Sequence, residues 1–199
     1  MAYANVINEP VKDYKPGSEE RETLLKEYKR QSNEKIKIPI IIGGKKIYSD
    51  KVGHCVSPHN HKKVLATFYK ADEKIVKSAI ENSLETWKSW SSTPLSYRTT
   101  IFRKAAKLLA GKWRDKINAA TMLNQSKNVY QAEIDAACEL IDFFNFNSSF
   151  AENIYNTQNL ISPEGMRNYL EYRPLEGFVF AIAPFNFTSI AGNLPGAPV

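Results

Sequence analysis

Three features of the 199-residue sequence predict an α/β fold in which helices and small β-hairpins lead into a parallel sheet. Ile38-Pro39-Ile40-Ile41-Ile42, Gly43-Gly44 and Lys45-Lys46-Ile47-Tyr48 form an apolar run, a glycine pair and a second run, which is the pattern of a hairpin. Between Asp72 and Tyr155, apolar residues recur at the three- and four-residue spacing of helices. Phe178-Val179-Phe180-Ala181-Ile182 is continuously apolar, as a strand buried on both faces of a parallel sheet must be.

The elements follow in order. Residues 1–16 hold two prolines and little periodicity, and read as an extended arm. Ser18 before Glu19, Glu20, Arg21 and Glu22 gives a capped, acidic first turn, and the helix should run to about Asn33. After the hairpin, Val56 to Pro58 and Val64 to Tyr69 read as a short strand pair around a polar turn. Asp72 caps a helix carrying Ile75, Val76, Ala79, Ile80, Leu84 and Trp87. A second helix starts near Ser96, Gly111 interrupts it, and a third piece runs from Trp113 to Gln125. A long helix spans about Val129 to Tyr155, with Ile134, Cys138, Leu140, Ile141 and Phe144 on its apolar face. Asn168 to Arg173 alternates like a strand, residues 174–177 turn, and the apolar run leads through Ala183-Pro184-Phe185-Asn186-Phe187 to Thr188, a cap for one more helix. A strand, a loop and a helix start in succession form the place where α/β proteins bind ligands.

Composition narrows the function classes. With 43% hydrophobic and 24% charged residues, the chain is an ordinary soluble globular protein, and no apolar run could span a bilayer. The net charge of +6 does not point to nucleic acid. Its densest basic stretch, Arg103 to Lys116 (with Lys104, Lys107, Lys112 and Arg114), alternates with apolar residues and reads as a solvated helix face. Cys55 and Cys138 stand too far apart to suggest a disulfide framework, so a reducing compartment is the simplest reading. Early acids at Glu9, Asp13, Glu19 and Glu20 are unlike a transit peptide, which leaves a protein that is not imported or a presequence that is missing.

Several side chains could carry chemistry. Asn186 lies just beyond the apolar run, where its amide could donate to a developing oxyanion; an Asx-turn or helix cap is the alternative. Glu133 shares a helical stripe with Ala136, Ala137, Leu140 and Phe144, so its carboxylate is either buried beside a partner or snorkels to solvent. His54, Cys55, His59 and His61 lack zinc-ligand spacing, and no metal is expected. Cys138 sits on the buried helix face near acids and reads as a core cysteine.

The segment from Leu175 to Ile190, LEGFVFAIAPFNFTSI, resembles the oxyanion-loop segment of the aldehyde dehydrogenase superfamily. Phe185 before the asparagine, Phe187-Thr188 after it and Gly192-Asn193-Leu194 are similar to the Δ1-pyrroline-5-carboxylate (glutamate γ-semialdehyde) dehydrogenase branch. QAEIDAACELIDFF, from Gln131 to Phe144, resembles that branch's long-helix signature, and the hairpin and Asn8-Glu9-Pro10 agree. The resemblance implies the amino-terminal part of the aldehyde dehydrogenase fold, incomplete, with helices and small hairpins entering a Rossmann-like parallel sheet. It implies an arm and helix over 1–35 and part of the NAD-binding domain over 36–199. It also implies NAD as cofactor and glutamate γ-semialdehyde as substrate, oxidised to glutamate in proline degradation. Asn186 would stabilise the oxyanion, and Phe187 and Glu133 would line the substrate tunnel. Ile182, Ala183, Pro184 and Phe185 would lie against the nicotinamide-ribose end of NAD.

The family's nucleophilic cysteine, water-activating glutamate, glycine-rich cofactor turn and oligomerising segment all lie later in the chain than Val199. Activity is therefore expected of a full-length homo-oligomeric enzyme, in the mitochondrial matrix by resemblance, with the cytoplasm as alternative. No nucleic acid or membrane partner is expected. The other reading is a catalytically inactive short product that acts as a binding protein.

Overall fold

A computed structural model describes residues 6–158, 160–190, 193, 194 and 197. Helix α1, Glu19–Asn33, begins where the Ser18 hydroxyl accepts the Arg21 N–H. Strands β1 (Ile36–Ile38), β2 (Ile40–Ile42) and β3 (Lys45–Ile47) follow. The expected hairpin is the antiparallel β2–β3 pair, turned by Gly43 and Gly44 at φ +55° and +74°. Two successive positive φ values are those of a type I′ turn, whose twist suits two strands. The apolar run before it is divided, because Pro39 has no N–H to offer a ladder. Ile36–Ile38 instead pairs in parallel with β5. Strands β4 (Val52–Ser57) and β5 (Asn60–Tyr69) are the expected second pair, longer than the sequence indicated, and the sheet order is β1-β5-β4.

Helices α2 (Glu73–Trp90), α3 (Leu95–Ala110) and α4 (Arg114–Gln125) lie where periodicity placed them. Asp72 caps α2 through the Ile75 N–H at 2.8 Å, and α3 stops at Gly111. The long helix is not uniform. A four-residue helix α5, Val129–Ala132, passes through a π-helical segment, Glu133–Cys138, into α6, Glu139–Asn156. The π segment widens the turn to i→i+5 bonding, so side chains beyond it are rotated relative to a 3.6-residue projection.

Helix α4 is central. Tyr14 of the arm, Leu24 of α1 and Ala119 of α4 form a buried core, joined by Tyr28, Met122 and Val129. Gln31 donates to the Lys116 carbonyl at 2.9 Å, tying α1 to α4. Helices α3 and α6 pack through Phe102 and Phe144, and the Arg103 guanidinium grips Glu152 with two bonds at 2.6 and 2.7 Å.

The carboxyl-terminal expectations need correction. Residues 168–173 and 178–182 are not strands and belong to no helix. A strand exists through its neighbour's backbone, and neither run pairs in a sheet among the described residues. A side chain substitutes at one point: the Gln158 amide accepts the Leu170 N–H at 2.7 Å and donates to its carbonyl at 3.2 Å. Phe180 is 79% and Ile182 is 75% exposed, the reverse of a strand buried on both faces. Ile190, Asn193 and Leu194 are helical, as expected after the loop, though the Thr188 hydroxyl meets Thr121 rather than a helix N–H; Gly192 lies outside the described residues. Among the described residues no helix is long and apolar enough to cross a membrane.

Candidate functional site

Two clusters hold the residues that the sequence singled out. The first surrounds Glu133, which is fully buried. Its Oε1 accepts the Lys12 N–H at 2.9 Å and the Arg114 Nε at 3.1 Å. Its Oε2 accepts the Tyr14 hydroxyl at 2.7 Å and the Asn118 amide at 2.8 Å. Arg114 makes a further ion pair with Glu9 and donates to the Pro10 carbonyl at 2.8 Å. Burial alone would raise the Glu133 carboxyl, but the Arg114 guanidinium, the Lys12 amide and the Tyr14 hydroxyl outweigh it and hold it below the usual carboxylate range. Burial, and next the hydrogen bond to Glu133, pushes the Tyr14 hydroxyl up. Tyr14 takes a left-handed backbone, φ 52°, and its ring enters the core from there.

This geometry decides between two alternatives and corrects one expectation. Glu133 has a full set of donors and no exposed surface, so its carboxylate is buried beside its partners and does not snorkel to solvent. Arg114 is 2% exposed, so it is not part of a solvated basic face. Cys138 is the core cysteine the sequence indicated. Its Sγ lies 3.3 Å from the Arg114 Nη2 and 3.6 Å from the Glu133 Oε1, and burial with that carboxylate pushes its thiol up to about 12.

The second cluster is the loop from Ile182 to Ile190. Ile182, Ala183, Pro184, Phe185 and Asn186 are exposed, Phe187 is half-buried and Ile190 is buried. The loop is held from below by α4 and its exit. Thr121 meets the Thr188 hydroxyl at 2.7 Å, and Ser189 donates to the Ala136 carbonyl at 2.9 Å. The Gln125 amide, turned with its nitrogen towards the loop, donates to the Asn186 carbonyl at 3.2 Å while its oxygen accepts the Thr188 N–H at 2.9 Å. Lys127 donates to the same carbonyl at 2.8 Å and lies 4.3 Å from the Phe187 ring centre. The backbone of residue 186 is thus fixed, while its side-chain amide has no described partner. Such an amide can donate to an oxyanion, and no described donor engages it as an Asx-turn or cap would require.

Other groups fall elsewhere. His54 pairs with Thr67 at 3.2 Å, and His59 lies 2.7 Å from the Ser126 hydroxyl. Among the described residues no group of three or more His, Cys, Asp or Glu is arranged to hold a metal. A groove of about 410 Å³ between α3 and α6, lined by Phe102, Phe143, Phe144 and Phe150, contains none of the candidate residues. Sequence reasoning missed Arg114, Lys127 and Gln125 as site-building residues, because their partners lie far along the chain. It also missed Glu139, a half-buried carboxyl just after the π segment that burial and then Asp135 and Asp142 push above the usual range. Its signal was an acidic side chain on a helix rich in buried alanines.

Known proteins resemble the chain throughout. A sequence model described as the aldehyde dehydrogenase family matches residues 47–194. A probable delta-1-pyrroline-5-carboxylate dehydrogenase of Schizosaccharomyces pombe is 49% identical over 98% of this chain and 36% of its own. The mitochondrial delta-1-pyrroline-5-carboxylate dehydrogenase of Homo sapiens is 46% identical over 97% of this chain and 34% of its own. The crystal structure of the Mycobacterium tuberculosis delta-pyrroline-5-carboxylate dehydrogenase bound with NAD superposes with a TM-score of 0.94 at 48% identity, covering 100% of this chain and 37% of that one. The chain therefore spans about a third of the length of the relatives it matches.

Proposed function

The chain belongs to the aldehyde dehydrogenase family, and from that premise we propose that it is part of an enzyme oxidising glutamate γ-semialdehyde to glutamate with NAD, in proline degradation. The observation that carries the reading is the likeness, over nearly all of the chain, to relatives that bear the name of that activity. The activity is assigned to the full-length, homo-oligomeric enzyme. Matrix residence follows from those relatives that are named mitochondrial. The division into an arm with its helix, 1–35, and part of the NAD-binding domain, 36–199, is one of organisation, since α1 and α4 share a core.

Within that enzyme, Asn186 donates its side-chain N–H to the oxyanion formed when a thiolate attacks the aldehyde. Its exposed amide and fixed backbone suit a donor set in place before the charge develops. Cys138 is not that thiolate, because a thiol raised to about 12 stays protonated at neutral pH. Phe187 walls the substrate tunnel. Ile182, Ala183, Pro184 and Phe185 offer a ledge suited to the nicotinamide-ribose end of NAD: all four are exposed, Phe185 at 92%. Bound there, NAD would supply the hydride acceptor for the oxidation. Glu133 acts behind the tunnel wall, fixing the arm to the π segment from which Ser189 hangs.

The test is NADH formation by the full-length enzyme from glutamate γ-semialdehyde. Turnover supports the reading. No NADH from that substrate, alongside turnover of another aldehyde, would overturn the substrate assignment.

A further inference from the structure

We infer that Lys127 is the positioning residue for the oxyanion donor: it fixes the peptide joining Asn186 to Phe187, and with it the place of the Asn186 side chain. This rests on the role proposed above for Asn186.

Lys127 follows Ser126, a non-glycine residue in left-handed backbone at φ 56°. That turn ends α4, and the Ser126 hydroxyl is tied to His59 at 2.7 Å. Gln125 and Lys127, on either side of it, both reach the Asn186 carbonyl. The Lys127 ammonium joins three pieces: Asp135 of the π segment at 2.6 Å, the Asn186 carbonyl at 2.8 Å, and the face of the Phe187 ring at 4.3 Å. Asp135 holds the ammonium, the ammonium holds the carbonyl, and the ring covers it. A trans peptide keeps its C=O and N–H opposed, so a carbonyl drawn to Lys127 turns the Phe187 N–H away. Residues 182–186 are otherwise exposed chain, and an oxyanion donor displaced by about 1 Å loses much of its effect.

The experiment is a double-mutant cycle in the full-length enzyme, measuring kcat and KM for aldehyde and NAD. Lys127→Met should lower kcat by about ten- to a hundredfold with KM little changed. Lys127→Arg, which keeps the charge and the stacking, should recover most of it. In the Asn186→Ala background, Lys127→Met should cost less than about twofold more, because its effect runs through Asn186. Multiplicative losses in the double variant, or full kcat in Lys127→Met, overturn the inference and leave the role of Asn186 standing. An unchanged kcat in Asn186→Ala overturns that role instead. If Lys127→Met does not yield folded enzyme, Asp135→Asn enters the same cycle and is judged by the same outcomes.

Discussion

The clasp around Glu133 and the run from Phe178 to Phe187 invert the usual placement of polar and apolar groups. In the clasp, two carboxylates, a guanidinium, a phenol and an amide meet where water is excluded, and Glu133 is satisfied by donors from the arm, α4 and the sulfur side of the π segment. In the run, Phe178, Val179, Phe180, Ile182 and Phe185 face outwards, with few hydrogen bonds to their backbone. In the first region the Glu133 carboxylate has all its partners among the described residues, while the Asn118 Oδ1 is buried without one. The second leaves large apolar side chains exposed among the described residues. The contrast leads to different expectations: loss of the buried carboxylate should act on stability, and changes in the exposed loop on the proposed binding role.

The largest way to break the contrast is Glu133→Ala. It leaves Arg114 buried with Glu9 as its remaining carboxylate, and should destabilise the fold by about 3–5 kcal/mol, read by urea unfolding. Stability within about 1 kcal/mol of the parent would mean that the clasp is not closed. Asn186→Ala should leave that stability unchanged and lower kcat of the full-length enzyme by about 10²–10³, which separates the two regions by readout.

A pH series sharpens the clasp further. Glu133 is held below its ordinary value of 4.5, so the folded form binds its proton more weakly than the unfolded chain does. The stability this confers is complete above about 4.5 and is lost as pH falls through the folded value. Glu133→Gln should flatten the dependence of unfolding free energy on pH in that acid range. An unaltered slope would place the acid sensitivity elsewhere, for instance at Glu27, which its Arg30 partner holds at about 2. The smallest effect belongs to the exposed run. Phe180→Ala in the 199-residue chain should change stability by less than about 0.5 kcal/mol, and a larger loss would show that the ring already packs.

Much of this was legible before any fold was known. Ser18 and Asp72 were readable as caps because a cap acts within three residues of itself. Gly43-Gly44 was readable because a type I′ turn needs two residues at positive φ. Cys138 was placed correctly by its helix face. The π segment was not legible, since a wider turn leaves no mark in a 3.6-residue projection, although Glu133 is buried along with Ala136, Ala137 and Leu140 of its expected stripe. The strand over 178–182 was misplaced for another reason: its composition reports what it is suited to contact, and only a neighbouring backbone makes it a strand.

The sequence by itself determined the helices, the hairpins, the family and the candidate loop, because each is written in contiguous residues. Tertiary structure alone decided that Arg114 is buried, that Glu133 binds the arm rather than water, and that Lys127 holds the Asn186 carbonyl. Those facts join residues from 19 to 121 positions apart, and no local period or spacing carries such a pairing. Charge found its partner through the path of the chain in space, where the cost of burying it unpaired selects the arrangement that pairs it.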